Sequence, residues 1–130
     1  MIPHTAPPIW PDVRPGRFAA TIVRASEATS ISDQHLKGCA IALLGLADDT
    51  GIALNHGRTG AHDGPRAFRA ALAKYGVETP SHPNPYPRVF DAGDIVPRHD
   101  IHETHARVTE AVEALLDRNL FPIAIGGGHD

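Results

Sequence analysis

The 130-residue sequence holds a single cysteine, Cys39, so neither an internal disulfide framework nor a Cys-based zinc site can be built from it, and a reducing compartment is favoured. Aromatic residues make up only 5% of the chain and accompany no Lys/Arg block. With twelve basic against fifteen acidic residues, net −3, the footprint of a nucleic-acid binder is missing. Long apolar runs are missing as well. The longest, Cys39 to Ala47, contains one glycine and falls far short of the roughly 20 residues that span a bilayer. Met1-Ile2-Pro3-His4 has no basic start followed by an apolar stretch, so it does not read as a secretory signal. The expectation is a cytoplasmic protein with no nucleic-acid and no membrane partner.

What is present suits one small domain or a piece of a larger one: 42% hydrophobic residues can bury a core, and 21% charged is ordinary. Glycine and proline, twelve each, are together about half as common again as in an average chain and belong in loops. Nine histidines are the composition's one hint of metal or acid–base chemistry.

Residues 1–36 read as a proline-rich arm and lead-in. Pro3, Pro7, Pro8, Pro11 and Pro15 forbid a helix, Trp10 is placed to pin the arm to the body, and Phe18 to Leu36 reads as mixed structure. Residues 37–130 read as α/β. Residues 39–46 form a continuous apolar run of the kind that a parallel strand buried on both faces shows. A glycine-rich loop follows, then Pro65 in the first turn of a helix with Asp63 as its N-cap. Ala67, Phe68, Ala71, Leu72 and Tyr75 would be that helix's buried face, and Gly76 its end. Residues 80–87, with four prolines, are a loop, and 88–96 a second strand. Residues 100–119 carry an apolar stripe, Ile101, Val108, Ala111, Val112, Leu115 and Leu116, that predicts a helix with Leu115 and Leu116 buried. Residues 121–125 are a third strand. Two crossover units on a parallel sheet follow from this alternation, and they bring the loop from Asp48 to Gly64, the turn from Asp91 to Asp94, and His129 to one rim.

Gly126-Gly127-Gly128-His129-Asp130 allows a sharp turn that projects an imidazole beyond the strand, a position for a divalent metal or an ordinary polar turn. Arg58, on a flexible loop, has the geometry for a bidentate pair with a substrate carboxylate, or for a tie to Asp48, Asp49 or Asp63. Asn55 would bind substrate or cap the turn. Asp91 and Asp94 read as a structural turn accepting backbone N–H groups, and Cys39 as core. His99, His102 and His105 read as a solvated helix face, because His102-Glu103-Thr104-His105 is one residue short of a zinc-protease pattern. A phosphate loop is disfavoured: no Gly-x-x-x-x-Gly-Lys-Ser/Thr pattern is present.

Asn55-His-Gly-Arg58-Thr-Gly60-Ala61-His-Asp-Gly64-Pro65-Arg-Ala-Phe-Arg69, then Asp91-Ala-Gly93-Asp94, then Gly126-Gly-Gly-His129, in that order, resemble the N-terminal half of the ureohydrolases: arginase, agmatinase and formimidoylglutamase. The first loop looks most like formimidoylglutamase. The resemblance covers about residues 39–130 and implies a three-layer α/β/α fold with a parallel sheet, here its N-terminal part with the strands in the order 2-1-3. It implies a site of two Mn2+ ions whose bridging hydroxide attacks an amidino or guanidino carbon, two cations lowering the pKa of the shared water. His129 matches the first metal ligand, at most one ligand of the set. The others come from Asp-x-His-x-Asp and Asp-x-Asp segments that this sequence does not contain, and Asp100-Ile-His102-Glu-Thr104 is no substitute.

The resulting expectation is a small amidine or guanidine substrate, formimidoylglutamate first, and no catalytic residue assigned within this chain. The chain alone should be inactive, and a homo-oligomer or the absent C-terminal half should cover its open face. Another ureohydrolase activity, or a non-catalytic binding or assembly module of the family, is the alternative.

Overall fold

The computed structural model describes residues 2–26, 36–76 and 86–127. These form strands β1 (Thr5–Ala6), β2 (Val23–Arg24), β3 (Cys39–Gly45), β4 (Arg88–Ile95) and β5 (Phe121–Ile125), and helices α1 (Thr50–Leu54), α2 (Gly64–Leu72) and α3 (Ile101–Leu116). The greater part of the expected loop 80–87, and part of the lead-in, lie outside the described residues.

β3 is the centre of the sheet because it is apolar on both faces. It pairs in parallel with β4, at Ala42 opposite Phe90, and with β5, at Leu43 opposite Ile123. The expected 2-1-3 arrangement of the three long strands is therefore observed. Alternation then sorts the side chains. Ala42 and Leu44 of β3 and Phe90 and Ala92 of β4 join Ala111 and Leu115 of α3 in one core, while Leu43 and Val89 join Ile22, with Trp10 and Leu72 packed against them, in the other. A helix layer on each face makes the three layers. Asp100 starts α3 as its N-cap, its carboxylate accepting the His102 and Glu103 N–H groups at 2.7 and 3.3 Å.

The N-terminal arm also enters the sheet. β1 runs antiparallel to the outer edge of β4, with Thr5 opposite Ile95, and β2 runs parallel to it, with Val23 opposite Phe90. This makes the sheet mixed and covers an edge that would otherwise be open. Gly93, at φ +93°, sits at a shift in register between Leu43 and Gly45, and a Cβ there would strike the Ala6 carbonyl oxygen. Glycine is what lets the arm lie so close. Trp10 does pin the arm, its indole N–H donating to Asp91 at 2.9 Å while the Arg24 guanidinium stacks 4.7 Å above the ring.

Three local expectations are corrected. Asp63 does not cap α2: it has helical backbone angles and its carboxylate pairs with Arg66 at 3.1 Å. The buried side of α2 is Pro65 and Arg69, whereas Ala67, Phe68, Ala71 and Tyr75 are exposed, because a charged side chain on the sheet-facing side has buried partners there. Leu116 is 54% exposed, since it lies a helical step away from the face that places Leu115 on the sheet. At the far edge β5 pairs only with β3 among the described residues, and Phe121 and Ile123 are exposed at 68% and 39%.

Candidate functional site at the carboxyl ends of the strands

The rim is organised by a buried ion cluster. Arg69 reaches from α2 to the end of β4, where Nε and Nη2 donate to the two oxygens of Asp91 at 2.7 and 2.9 Å and Nη1 donates to Asp94 at 2.7 Å. Asp91 also accepts the Gly93 N–H at 3.0 Å and the Trp10 indole. Both side chains of the Arg69–Asp91 pair are almost wholly out of water. Burial pushes the Arg69 pKa down, but the hydrogen bonds and charges of Asp91 and Asp94 outweigh it and leave it raised, so the guanidinium stays charged. Asp91 thus does accept a backbone N–H group, as expected of a turn, whereas Asp94 accepts only the Arg69 guanidinium among the described residues; the main partner of both is a buried arginine that sequence reasoning left without a role. The pairing of Arg69 with Asp91 and Asp94 joins two segments, and no local pattern in either announces it. A purely apolar template for helix faces hides it.

The cluster fixes α2, and α2 fixes the next turn. Pro65 in its first turn packs on Gly126, at φ +80°, where a Cβ would collide with the proline ring. Gly126 and Gly127 are the last described residues of the glycine-rich turn, and His129 lies outside the described residues.

The loop after β3 is not bare coil. It contains α1 and a 3-10 turn at Ala61–Asp63, and two carboxylates organise it. Asp48 accepts the Thr50 N–H and hydroxyl at 3.1 and 2.7 Å through one oxygen; its other oxygen is buried without a hydrogen-bond partner among the described residues. Asp49 accepts the N–H groups of Gly60 and His62, each at 3.0 Å, and its carboxylate meets the His62 ring at Nδ1. Arg58 is exposed and has no ion pair or hydrogen bond among the described residues, so none of its three alternative carboxylates holds it. Asn55 ends α1 through its backbone N–H, bonded to Gly51 at 3.1 Å, and its side chain caps nothing. The structure thus places Asn55 and Arg58 together on one loop of the rim.

A cavity of about 340 Å³ opens beside this loop between the strand ends and α3, lined in part by Leu46, Asp48, Pro97, Thr104, Val108 and Gly127. Among the described residues no group of three or more His, Cys, Asp or Glu side chains could hold a metal ion. His102 and His105 lie exposed on α3 with their rings edge to face, in keeping with a solvated helix face. Cys39 is half-buried, and burial pushes its thiol pKa up against the opposing charge of Arg88, which leaves it a poor nucleophile. No helix among the described residues is long and apolar enough to cross a membrane.

Comparison with known proteins agrees with this arrangement. A family model described as the arginase family matches residues 39–130. The formimidoylglutamase of Ralstonia nicotianae is 44% identical over 110 residues, covering 84% of this chain and 30% of that protein. The formimidoylglutamase of Streptococcus gordonii is 38% identical over 117 residues, covering 87% and 34%. Among solved structures, Trypanosoma cruzi formiminoglutamase with Mn2+ superposes with a TM-score of 0.60 at 35% identity, covering 71% of this chain and 32% of that one. The chain spans about a third of the length of the curated relatives it matches.

Proposed function

The chain belongs to the arginase family, and from that premise we propose that it is the N-terminal part of a manganese-dependent hydrolase converting formimidoylglutamate to glutamate and formamide, a step of histidine degradation in the cytoplasm. The observation that carries the substrate is the loop Asn55–Gly60: its guanidinium is exposed and unclaimed, while Asp49 holds Gly60 and His62, Asp63 pairs with Arg66, and Asp48 is bonded to Thr50 through one oxygen and buries the other. Formimidoylglutamate offers two carboxylates, and a planar guanidinium pairs with one of them through two parallel N–H bonds. Asn55, on the same loop, supplies an amide to orient the same substrate. The similarity to two formimidoylglutamases supports this choice over arginine or agmatine.

Manganese is drawn from the Trypanosoma neighbour, and His129 is the residue of this chain that would help to hold it. The described residues do not themselves form a metal centre, so no bond-breaking step is assigned to them. The remaining ligands would come from segments this sequence does not contain. The exposed Phe121–Ile123 edge of β5 is the surface against which such a segment, or a second copy of the chain, would pack.

The test joins the chain to the remainder of the Ralstonia relative and assays formamide release with Mn2+. The joined protein should release formamide from formimidoylglutamate, and the 130-residue chain alone should not. Arg58→Ala in the joined protein should raise KM roughly 10- to 100-fold with kcat little changed, the loss of a charge-assisted contact made equally in ground and transition states. Urea release from arginine or agmatine without action on formimidoylglutamate would move the assignment to another ureohydrolase. A folded joined protein inactive on all three would leave only the non-catalytic reading.

A further inference from the structure

We infer that Asp49 and His62 form a pH-sensitive latch that holds the 55–60 loop, and with it Asn55 and Arg58, at the rim. The latch has consequences for turnover only if Asn55 and Arg58 contact substrate, as proposed above; its existence does not depend on that reading.

The geometry is one carboxylate doing three things. Asp49 accepts the N–H groups of Gly60 and His62, 11 and 13 positions further on, and also meets the imidazole of His62 itself. Among the described residues no other side chain hydrogen-bonds a backbone group between 55 and 62. On the other side the loop leaves α1 through the backbone bonds of Asn55, His56 and Gly57, to Gly51, Ala53 and Ile52. Arg58 and Thr59 are strung between these two anchors. Releasing Asp49 leaves Gly60 held, among the described residues, only by the Asp63 N–H that its carbonyl accepts at 3.2 Å, and so loosens the segment that carries the guanidinium.

The charged groups facing the imidazole are Asp49, Asp63, whose carboxylate lies 3.7 Å from Nε2, and Arg66 at the start of α2. Facing the Asp49 carboxylate is His62. The hydrogen bond to Asp49 and then its charge raise the His62 pKa, with Asp63 adding to the effect and burial and Arg66 opposing it. The hydrogen bond from His62 lowers that of Asp49, helped by the Gly60 and His62 N–H groups and opposed by burial. A raised histidine contributes fully below its ordinary pKa of about 6.5 and is lost as pH rises through the raised value. A lowered carboxylate contributes above its ordinary range and is lost as pH falls through the lowered value. The latch is accordingly tightest from just above the carboxylate range up to the ordinary imidazole pKa, and loosens as pH rises through the raised imidazole value.

Two measurements on the 130-residue chain test this without using hydrolase activity. The first is the titration midpoint of the His62 ring by NMR. The second is the rate at which trypsin cuts after Arg58, identified by fragment mass and normalised at each pH to a free peptide spanning residues 53–64. The midpoint should lie above the ordinary value, and normalised cutting should rise about two- to fivefold as pH passes through it, the range expected for an exposed pair. Asp49→Asn should return the midpoint towards the ordinary value and give fast, pH-independent cutting. Should that variant fail to fold, His62→Gln keeps the carboxylate and its backbone bonds and should flatten the pH response. Cutting in His62→Gln that still follows the wild-type pH curve, or a His62 midpoint unmoved in folded Asp49→Asn, would overturn the latch. A chain that passes both tests while the joined protein fails to release formamide would retain the latch and lose the substrate assignment.

Discussion

The Arg69 cluster and the Asp49 cluster are built from the same parts, a carboxylate gathering N–H donors from distant positions, and they differ in their access to water. The Asp91 side chain is 0% exposed and that of Arg69 2%, whereas His62 is 56% exposed and Asp49 18%. Two charges without water must find their partners inside the protein, so the buried pair is held by four donors on Asp91 and by Asp94 as a second acceptor. In the exposed pair water can replace any bond that breaks. The same chemistry therefore serves as a fixed joint between α2 and β4, and as a releasable one in the loop a few residues before it.

The sharpest way to break this comparison is to remove the buried cation. Arg69→Ala would leave Asp91 charged, buried and short of two donors, and breaking such a pair costs about 3–5 kcal/mol. That is a large part of the 5–15 kcal/mol that holds a typical domain together. Urea unfolding followed by tryptophan fluorescence, with Trp10 bonded directly to Asp91, is the measurement. A loss under about 1 kcal/mol, the range of exposed pairs, would place the two clusters in one class.

The second prediction sets two adjacent leucines of α3 against each other. Leu115 is fully buried against the sheet and Leu116 is 54% exposed. Leu115→Ala should cost about 2–5 kcal/mol, and Leu116→Ala should stay within about 0.5 kcal/mol, read from the same urea midpoints. Equal losses would mean that Leu116 is covered in solution, by another copy of the chain for instance, and a protein-concentration series would then shift the midpoint.

Much of the sheet was legible because it follows from apolar periodicity. β3 declares itself by an unbroken run, β5 by its length and bounds, and α3 by its stripe. The family resemblance rested on ordered glycine, proline and charged positions, and the arginase-family match covers the same residues, 39–130. What was not legible was the pairing of charges between segments. Nothing local to Arg69 says that its guanidinium turns inward, since an arginine on a helix of alanines reads equally as solvated, and only the crossover that lays α2 over β4 brings Asp91 and Asp94 within 2.7–2.9 Å. The two-residue strands of the arm carry no periodicity at all. They exist because the edge of β4 offers free backbone groups and Gly93 leaves room for the chain. Asp49 was weighed only as a tie for Arg58; its preference for backbone N–H groups depends on how α1 folds the loop back.

The smallest effect is also the one that separates the two clusters most directly, because it changes no residue. Between 0.1 and 1 M salt the Debye length falls from about 10 to about 3 Å, which weakens attractions between charges in contact with water and leaves buried pairs nearly untouched. The His62 midpoint should therefore move down towards the ordinary imidazole value as salt is raised, since its upward shift comes from Asp49 through a hydrogen bond and a charge that solvent can reach. The alkaline limit of the latch moves down with it, so loosening begins at lower pH. Over the same salt range the stability difference between the wild type and Arg69→Ala should be preserved. Arg69, with its pKa raised, does not titrate at working pH, and neither salt nor water has access to its bond with Asp91. A His62 midpoint that stays raised and indifferent to salt would mean that water does not reach the Asp49 carboxylate either, and the contrast between a fixed and a releasable joint would then fail at the releasable end.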